Sequence, residues 1–359
     1  MKVSQVLEHI ECFAPLGLAL NWDNVGLLLG DRDWEVSKAL ICLDVTPNAV
    51  DIAIKGKCDI IISHHPLIFR SVKSIVNPLY IKLIQQQIAV ICLHTNLDVA
   101  KISVNHILAN KLGLEVLSPL SVESGAISHH VQTYCPPETA KRICEAAWQA
   151  GAGEVGNYSR CATAYDVQGY FVAGSGSNPF SDGSSGIKET SLEFSCDSFL
   201  LVAVINAIRS AHPYETPLIT HHPLENHNPA FGLGLVCKYP QSRSLAEIAK
   251  VVNQQLACPQ LKLWLAGKQA EDKIERIAVC GGSGASLLSA AEAKAQLFIS
   301  GDISYHSFLD SRIPIIDAGH FYTEYPVLDF LTEQLNKIAL PNQIMPMQDH
   351  EYSINMHLG

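Results

Sequence analysis

The chain has 359 residues, of which 48% are hydrophobic and 17% charged, with a mean hydropathy of +0.15. At about 150 residues per domain this length fits about two to three domains, and the composition excludes a disordered or merely solvating chain. With 25 Lys and Arg against 35 Asp and Glu the net charge is -10, a field that repels phosphate backbones and anionic membranes and argues against nucleic acid as a partner.

Near the N-terminus, Glu8 and Glu11 stand where a secretory segment would be apolar, and no run approaches the roughly 18 apolar residues of a spanning helix. A cytoplasmic protein with no membrane partner is expected. The β-branched runs Lys38–Asp44, Asp59–Ser63 and Ile88–His94 predict strands, separated by helices over Thr46–Lys55 and Pro78–Gln87. That alternation is the grammar of an α/β layer with a largely buried sheet.

From His130 the order changes. A strand at His130–Cys135 and a helix at Pro137–Ala150 precede strands across Ala162–Ala173 and Glu189–Ser195; a helix at Asp197–Ala211 and a strand within Pro217–Pro223 follow. This β-α-β-β-α-β series predicts an inserted ferredoxin-like α+β domain over residues 126–228, with Gly174–Gly186 as a flexible hairpin connection. Strands at Lys273–Cys280, Ala295–Ser300 and Arg312–Asp317, with a helix over Ser286–Lys294, restore the α/β pattern. Residues 1–125 and 229–359 are therefore expected to form one α/β core. The 11 cysteines include no C-x-x-C pair, and Cys42, Cys92 and Cys280 sit in apolar runs, so they read as reduced core residues.

Metal-competent residues follow the carboxyl ends of four predicted strands: His64 and His65; His94 and Asp98; Asp302 and His306; His320 and Glu324. Ligands of open α/β sheets bind at that edge, so the four segments are expected near one crevice. Adjacent His64 and His65 leave an extended chain in different directions, which suits two neighbouring ions better than chelation of one. His320 and Glu324, four apart, share a helical face, from which a carboxylate can bridge ions held terminally by imidazoles. Asp98 adds an oxygen donor. His64, His65, Asp98, His320 and Glu324 thus form a mixed nitrogen and oxygen set suited to two divalent ions of zinc, iron or manganese. His94, Asp302 and His306 are candidates for orienting ligands or moving protons.

Any one of these segments alone would read as ordinary turn and capping residues; their convergence favours metal. Thr220-His221-His222-Pro223 nearly repeats Ser63-His64-His65-Pro66, and His129-His130 makes a third pair. These middle pairs lack downstream acids at ligand spacing and read as surface or strand histidines rather than a second metal site. His212-Pro213-Tyr214-Glu215 ends a helix, where a domain contact and a ligand are equally open. Cys280-Gly281-Gly282-Ser283-Gly284 joins a strand to a helix without matching a phosphate fingerprint, and reads equally as a tight turn or an anion contact.

As a set these blocks, with Asn24-Val25-Gly26-Leu27, Gly301-Asp302 and Asp317 to Glu324, resemble the NIF-three-like family, known as GTP cyclohydrolase I type 2 homologues. The middle segment resembles the PII/CutA-like insertion of its longer bacterial members. The resemblance implies a dinuclear site on the same five residues and a ring-like homohexamer enclosing the sites. Two functions are then expected: a dinuclear metal-dependent hydrolase acting on a small-molecule substrate, or a non-enzymatic metal-binding scaffold, chaperone or regulatory protein.

Overall fold

The aliphatic runs of the N-terminal segment become the centre of a five-stranded sheet. In a computed structural model describing residues 1–122, 127–180 and 186–350, its order is Gly26–Leu29, Ala89–Cys92, Ile60–Ser63, Ala39–Cys42, Asn342–Ile344. Neighbours are parallel except at the Gly26–Leu29 edge. The three middle strands are buried at every position. Crossover helices such as Pro47–Lys55 and Pro78–Gln85 cover such a sheet, which is why its strands read as unbroken apolar runs instead of alternating ones. Thr46 starts the first helix by accepting a hydrogen bond from the Ala49 N–H, with Pro47 in the first turn.

Parallel register does the positioning. Cys42, Ser63 and Cys92 are cross-strand partners, so the chain leaves the sheet on one edge at Asp44, His64–His65 and His94. A six-stranded sheet repeats the device in the order Lys262–Trp264, Ile315–Asp317, Leu297–Gly301, Ile277–Ser283, Leu233–Lys238, Glu115–Ser121, with three parallel strands inside. There Ser300 pairs with Asp317 and Ser283 with Gly301, so Asp302 and His320–Glu324 also emerge together. Phe298, fully buried on the middle strand, is the kind of side chain whose truncation to alanine costs about 3–5 kcal/mol.

Chain contacts separate two units, Met1–Glu123 with Ala230–Gly359 and Ser124–Pro229. The second has an antiparallel sheet ordered Thr163–Gly169, Ile187–Asp197, Ile127–Cys135, Ile219–His227. Helices Ala140–Gln149 and Leu201–Ala211 bring Ile143, Ala147, Val204 and Ile208 against Val131, Leu192 and Phe194 of that sheet. The strand across Ala162–Ala173 stops at Gly169, and the closing strand is longer than expected, Ile219–His227. The boundary expected at residue 125 and positions 181–185 of the Gly174–Gly186 connection lie outside the described residues.

Among the described residues no helix is long and apolar enough to cross a membrane. All 11 cysteines are free; Cys12 is exposed and Cys161 half-buried, and the rest are buried as the apolar runs require.

Candidate metal centre

Within the larger unit, the helical turn His320–Glu324 carries Glu324 into the space between His64 and His65. The two carboxylate oxygens face different partners. Glu324 Oε1 lies 3.6 Å from His64 Nε2, which is itself 3.7 Å from Asp98 Oδ1. Glu324 Oε2 lies 3.0 Å from His65 Nε2 and 3.1 Å from His320 Nε2, and those two nitrogens are 3.2 Å apart. His64, His65 and Glu324 each offer a donor atom within 4.8 Å of the other two.

Four imidazoles are anchored through the same ring nitrogen. His64 Nδ1 donates to the Leu93 carbonyl at 2.7 Å, which fixes its tautomer because a carbonyl only accepts. His65 Nδ1 meets Asp44 Oδ1 at 2.8 Å, His320 Nδ1 meets Asp302 Oδ2 at 2.6 Å, and His94 Nδ1 meets Asp23 Oδ1 at 2.9 Å. Each ring is thereby oriented with Nε2 left for another partner, the arrangement of metal-ligating histidines backed by an acid or carbonyl. Asp23 also accepts from the Thr95 N–H at 3.0 Å and from its hydroxyl, so the acid that holds His94 also holds the start of the Thr95–Val99 helix bearing Asp98.

The residues fit a metal on an observation independent of their identity. His64 Nε2 and Glu324 Oε2 are buried polar atoms without a hydrogen-bond partner; the close approaches to Oε2 are not aligned as hydrogen bonds. An unsatisfied buried polar group costs about 1–3 kcal/mol, which a coordinated cation removes. Imidazole and carboxylate donors with no thiolate suit zinc, iron or manganese.

Charge among the centre's own side chains is arranged around protons. Burial disfavours a charged His65, but the hydrogen bond to Asp44 and the attraction of Glu324 outweigh it and raise its pKa to about 10. Burial likewise opposes Glu324 and Asp302 at His320, which ends up at about 9. His64 is also shifted upward, burial being overcome by Glu324 and Asp98. Burial raises Asp98, whereas the surrounding imidazoles more than offset burial at Glu324 and hold it well below the usual carboxylate range. Asp23, despite burial, is lowered to about 2 by His94 and Thr95.

The Cys280–Gly284 turn serves this packing. Gly282 has φ +66°, its N–H donates to Thr323 Oγ1 at 2.9 Å, and a Cβ there would collide with Glu324 Oε1. The turn is thus close to the acid it backs, the tight-turn alternative of the two left open by its sequence.

All five ligand candidates, His64, His65, Asp98, His320 and Glu324, come together here, and His94 and Asp302 join them. His306 makes no described contact with them: it is exposed on the helix Tyr305–Asp310, and its ring packs against Tyr305. Sequence reasoning missed Asp23 and Asp44. Asp44 stands at the carboxyl end of a predicted strand, the signal that found the other residues; Asp23 sits in the loop Asn21 to Asn24, whose role residue types do not reveal. In the smaller unit, His130 faces His222 across the strands with ring centroids 4.7 Å apart, and His129 lies 5.4 Å from His221.

The family model for Duf34/NIF3 (NGG1p interacting factor 3) matches residues 1–350. A Staphylococcus epidermidis protein named GTP cyclohydrolase 1 type 2 homolog is 34% identical over 348 residues, covering 94% of this chain and 93% of its own. Among solved structures, a Bacillus cereus protein related to NIF3 superposes with a TM-score of 0.78 at 31% identity, covering 98% of both chains. A Staphylococcus aureus protein superposes with a TM-score of 0.72 at 29% identity, covering 100% of this chain and 98% of the other.

Proposed function

Since this chain belongs to the Duf34/NIF3 (NGG1p interacting factor 3) family, we propose that its histidine and carboxylate cluster holds two divalent ions and that the protein is a metal-dependent hydrolase of a small-molecule substrate. One observation carries the reading: Glu324 presents Oε1 to His64, which neighbours Asp98, and Oε2 to His65 and His320. A carboxylate divided in this way suits two cations side by side. When bound, the ions would supply Lewis acidity and activation of water at neutral pH.

The chain's own residues do the rest. Leu93, Asp44 and Asp302 hold the rings of His64, His65 and His320 so that Nε2 is available without reorganisation. His94, oriented by Asp23 and 5.5 and 5.7 Å in ring centroid from His64 and His65, would carry a proton to or from the substrate in this reading. The name borne by curated relatives makes GTP the first substrate to try.

The strand order of the smaller unit supports its assignment as a PII/CutA-like insertion. On the resemblance we also propose a ring-like homohexamer, which sedimentation would test. A second reading, reversible metal handling without turnover, draws on the partial exposure of His65 and His320, whose side chains are 21% and 33% accessible while His64 is sealed.

The test is elemental analysis of untagged protein beside a hydrolase screen that includes GTP, on wild type and on folded His65→Ala and His320→Ala variants. About two ions per chain, lost together with turnover in both variants, supports the hydrolase. Metal exchange with no turnover on any substrate favours the handling reading, and absence of metal uptake overturns both.

A further inference from the structure

The smaller unit contains a cavity of about 400 Å³, within the size range of small-molecule sites. Its walls include Tyr134, Tyr170, Phe180 and Tyr214, with Glu189 and Glu215 as its acids. We propose that this cavity binds a small organic cation, an ammonium-bearing compound with an apolar or aromatic body.

Three features of the cavity point to that class. Glu189 is only 8% exposed, and its carboxylate accepts from the Tyr214 hydroxyl at 2.8 Å; among the described residues no Lys, Arg or His forms an ion pair with it. That leaves the carboxylate with one neutral donor and no counterion, a place that a ligand ammonium fills with a charge-assisted hydrogen bond. The aromatic walls act in the same sense, since ring faces attract cations and repel anions. Glu215 accepts from the Asn178 N–H at 3.1 Å and is exposed, so it places a second acid where an approaching cation meets the cavity.

The site is also held ready. His212, buried and shifted downward in pKa by that burial, donates from Nε2 to the Tyr134 carbonyl at 2.9 Å and accepts at Nδ1 from the Tyr214 N–H at 3.1 Å. One neutral imidazole therefore ties together the backbones of two wall residues. Phe180 packs on Tyr214 with ring centroids 6.0 Å apart. Gly169, on the strand beside Glu189, leaves room for the acid: a Cβ there would collide with Glu189 Oε2. The His212-Pro213-Tyr214-Glu215 motif, unused by the metal centre, is thus a frame for this cavity.

The experiment is calorimetric titration of the full chain, with EDTA present, using phenethylammonium, 2-phenylethanol and phenylacetate as probes of one shape and three charges. Phenethylammonium is expected to bind saturably and at least about tenfold more tightly than either other probe. Glu189→Gln should weaken it by about tenfold or more. Phe180→Leu, at an exposed ring outside the unit's core, should weaken it several-fold without threatening the fold. Equal or tighter binding of the alcohol or the carboxylate, no binding of the ammonium at tens of millimolar, or unchanged affinity in both variants overturns the proposal.

Discussion

His64 Nε2 and Glu324 Oε1 lie 3.6 Å apart in the protein interior with no hydrogen bond between them. Two ligands of one zinc ion, each about 2.0–2.2 Å from it in tetrahedral array, stand at about that separation. The contact joins the end of an N-terminal strand to a C-terminal helix across 260 positions of sequence, and the rest of the centre is arranged around it.

Glu324→Gln is expected to lower metal content from about two ions per chain to below one, because Glu324 faces both halves of the donor set. Mass spectrometry under native conditions, with circular dichroism to confirm folding, reads this directly. Loss of just one ion would mean that Glu324 is a terminal ligand.

Asp44→Asn keeps the shape of the acid that orients His65 but weakens its hold on the Nδ1 proton. Metal affinity should fall about 10–100-fold with little change in stoichiometry at saturation. Chelator competition measures it, and Asp302→Asn should behave alike through His320.

The metal-free protein should lose stability as pH rises. The folded values of His65 and His320, about 10 and about 9, exceed the ordinary 6.5, so their contribution is full below 6.5 and is lost as pH climbs through 9 and then 10. Metal must displace those protons, so metal-bound protein should show the opposite trend, with affinity falling as pH drops. Melting curves from about pH 6 to about pH 10.5, with and without chelator, test the two signs together.

Gly282→Ala should destabilise the fold by about 1 kcal/mol or more and deplete metal, since φ is positive there and the new methyl meets the Glu324 carboxylate. Urea midpoints and elemental analysis report the two losses. A stable variant with full metal content would show that the carboxylate can shift without cost.

Much of this was legible in the sequence. Unbroken aliphatic runs ending in His64, His94 and Asp317 gave away buried strands, and the rule that ligands gather at carboxyl ends selected the four segments that hold the five candidate donors. His320 and Glu324 were read correctly as one helical face, because spacing along a helix is local. The antiparallel strand Leu233–Lys238 and the edge strand Glu115–Ser121 beside it were not foreseen: the edge strand is mostly exposed and carries Pro119, so neither periodicity nor propensity marks it.

By itself, then, the sequence determined which residue types stand at strand ends and which share a helical turn, since both depend on backbone periods of a few residues. Only the tertiary structure decided that Asp23 and Asp44 hold the rings of His94 and His65, and that the two oxygens of Glu324 face different histidines. The ring contacts depend on how loops meet at one edge of the five-stranded sheet, and the Glu324 contacts on the meeting of that edge with a sheet built mainly from the C-terminal segment. No local pattern encodes the direction of a side chain across that distance.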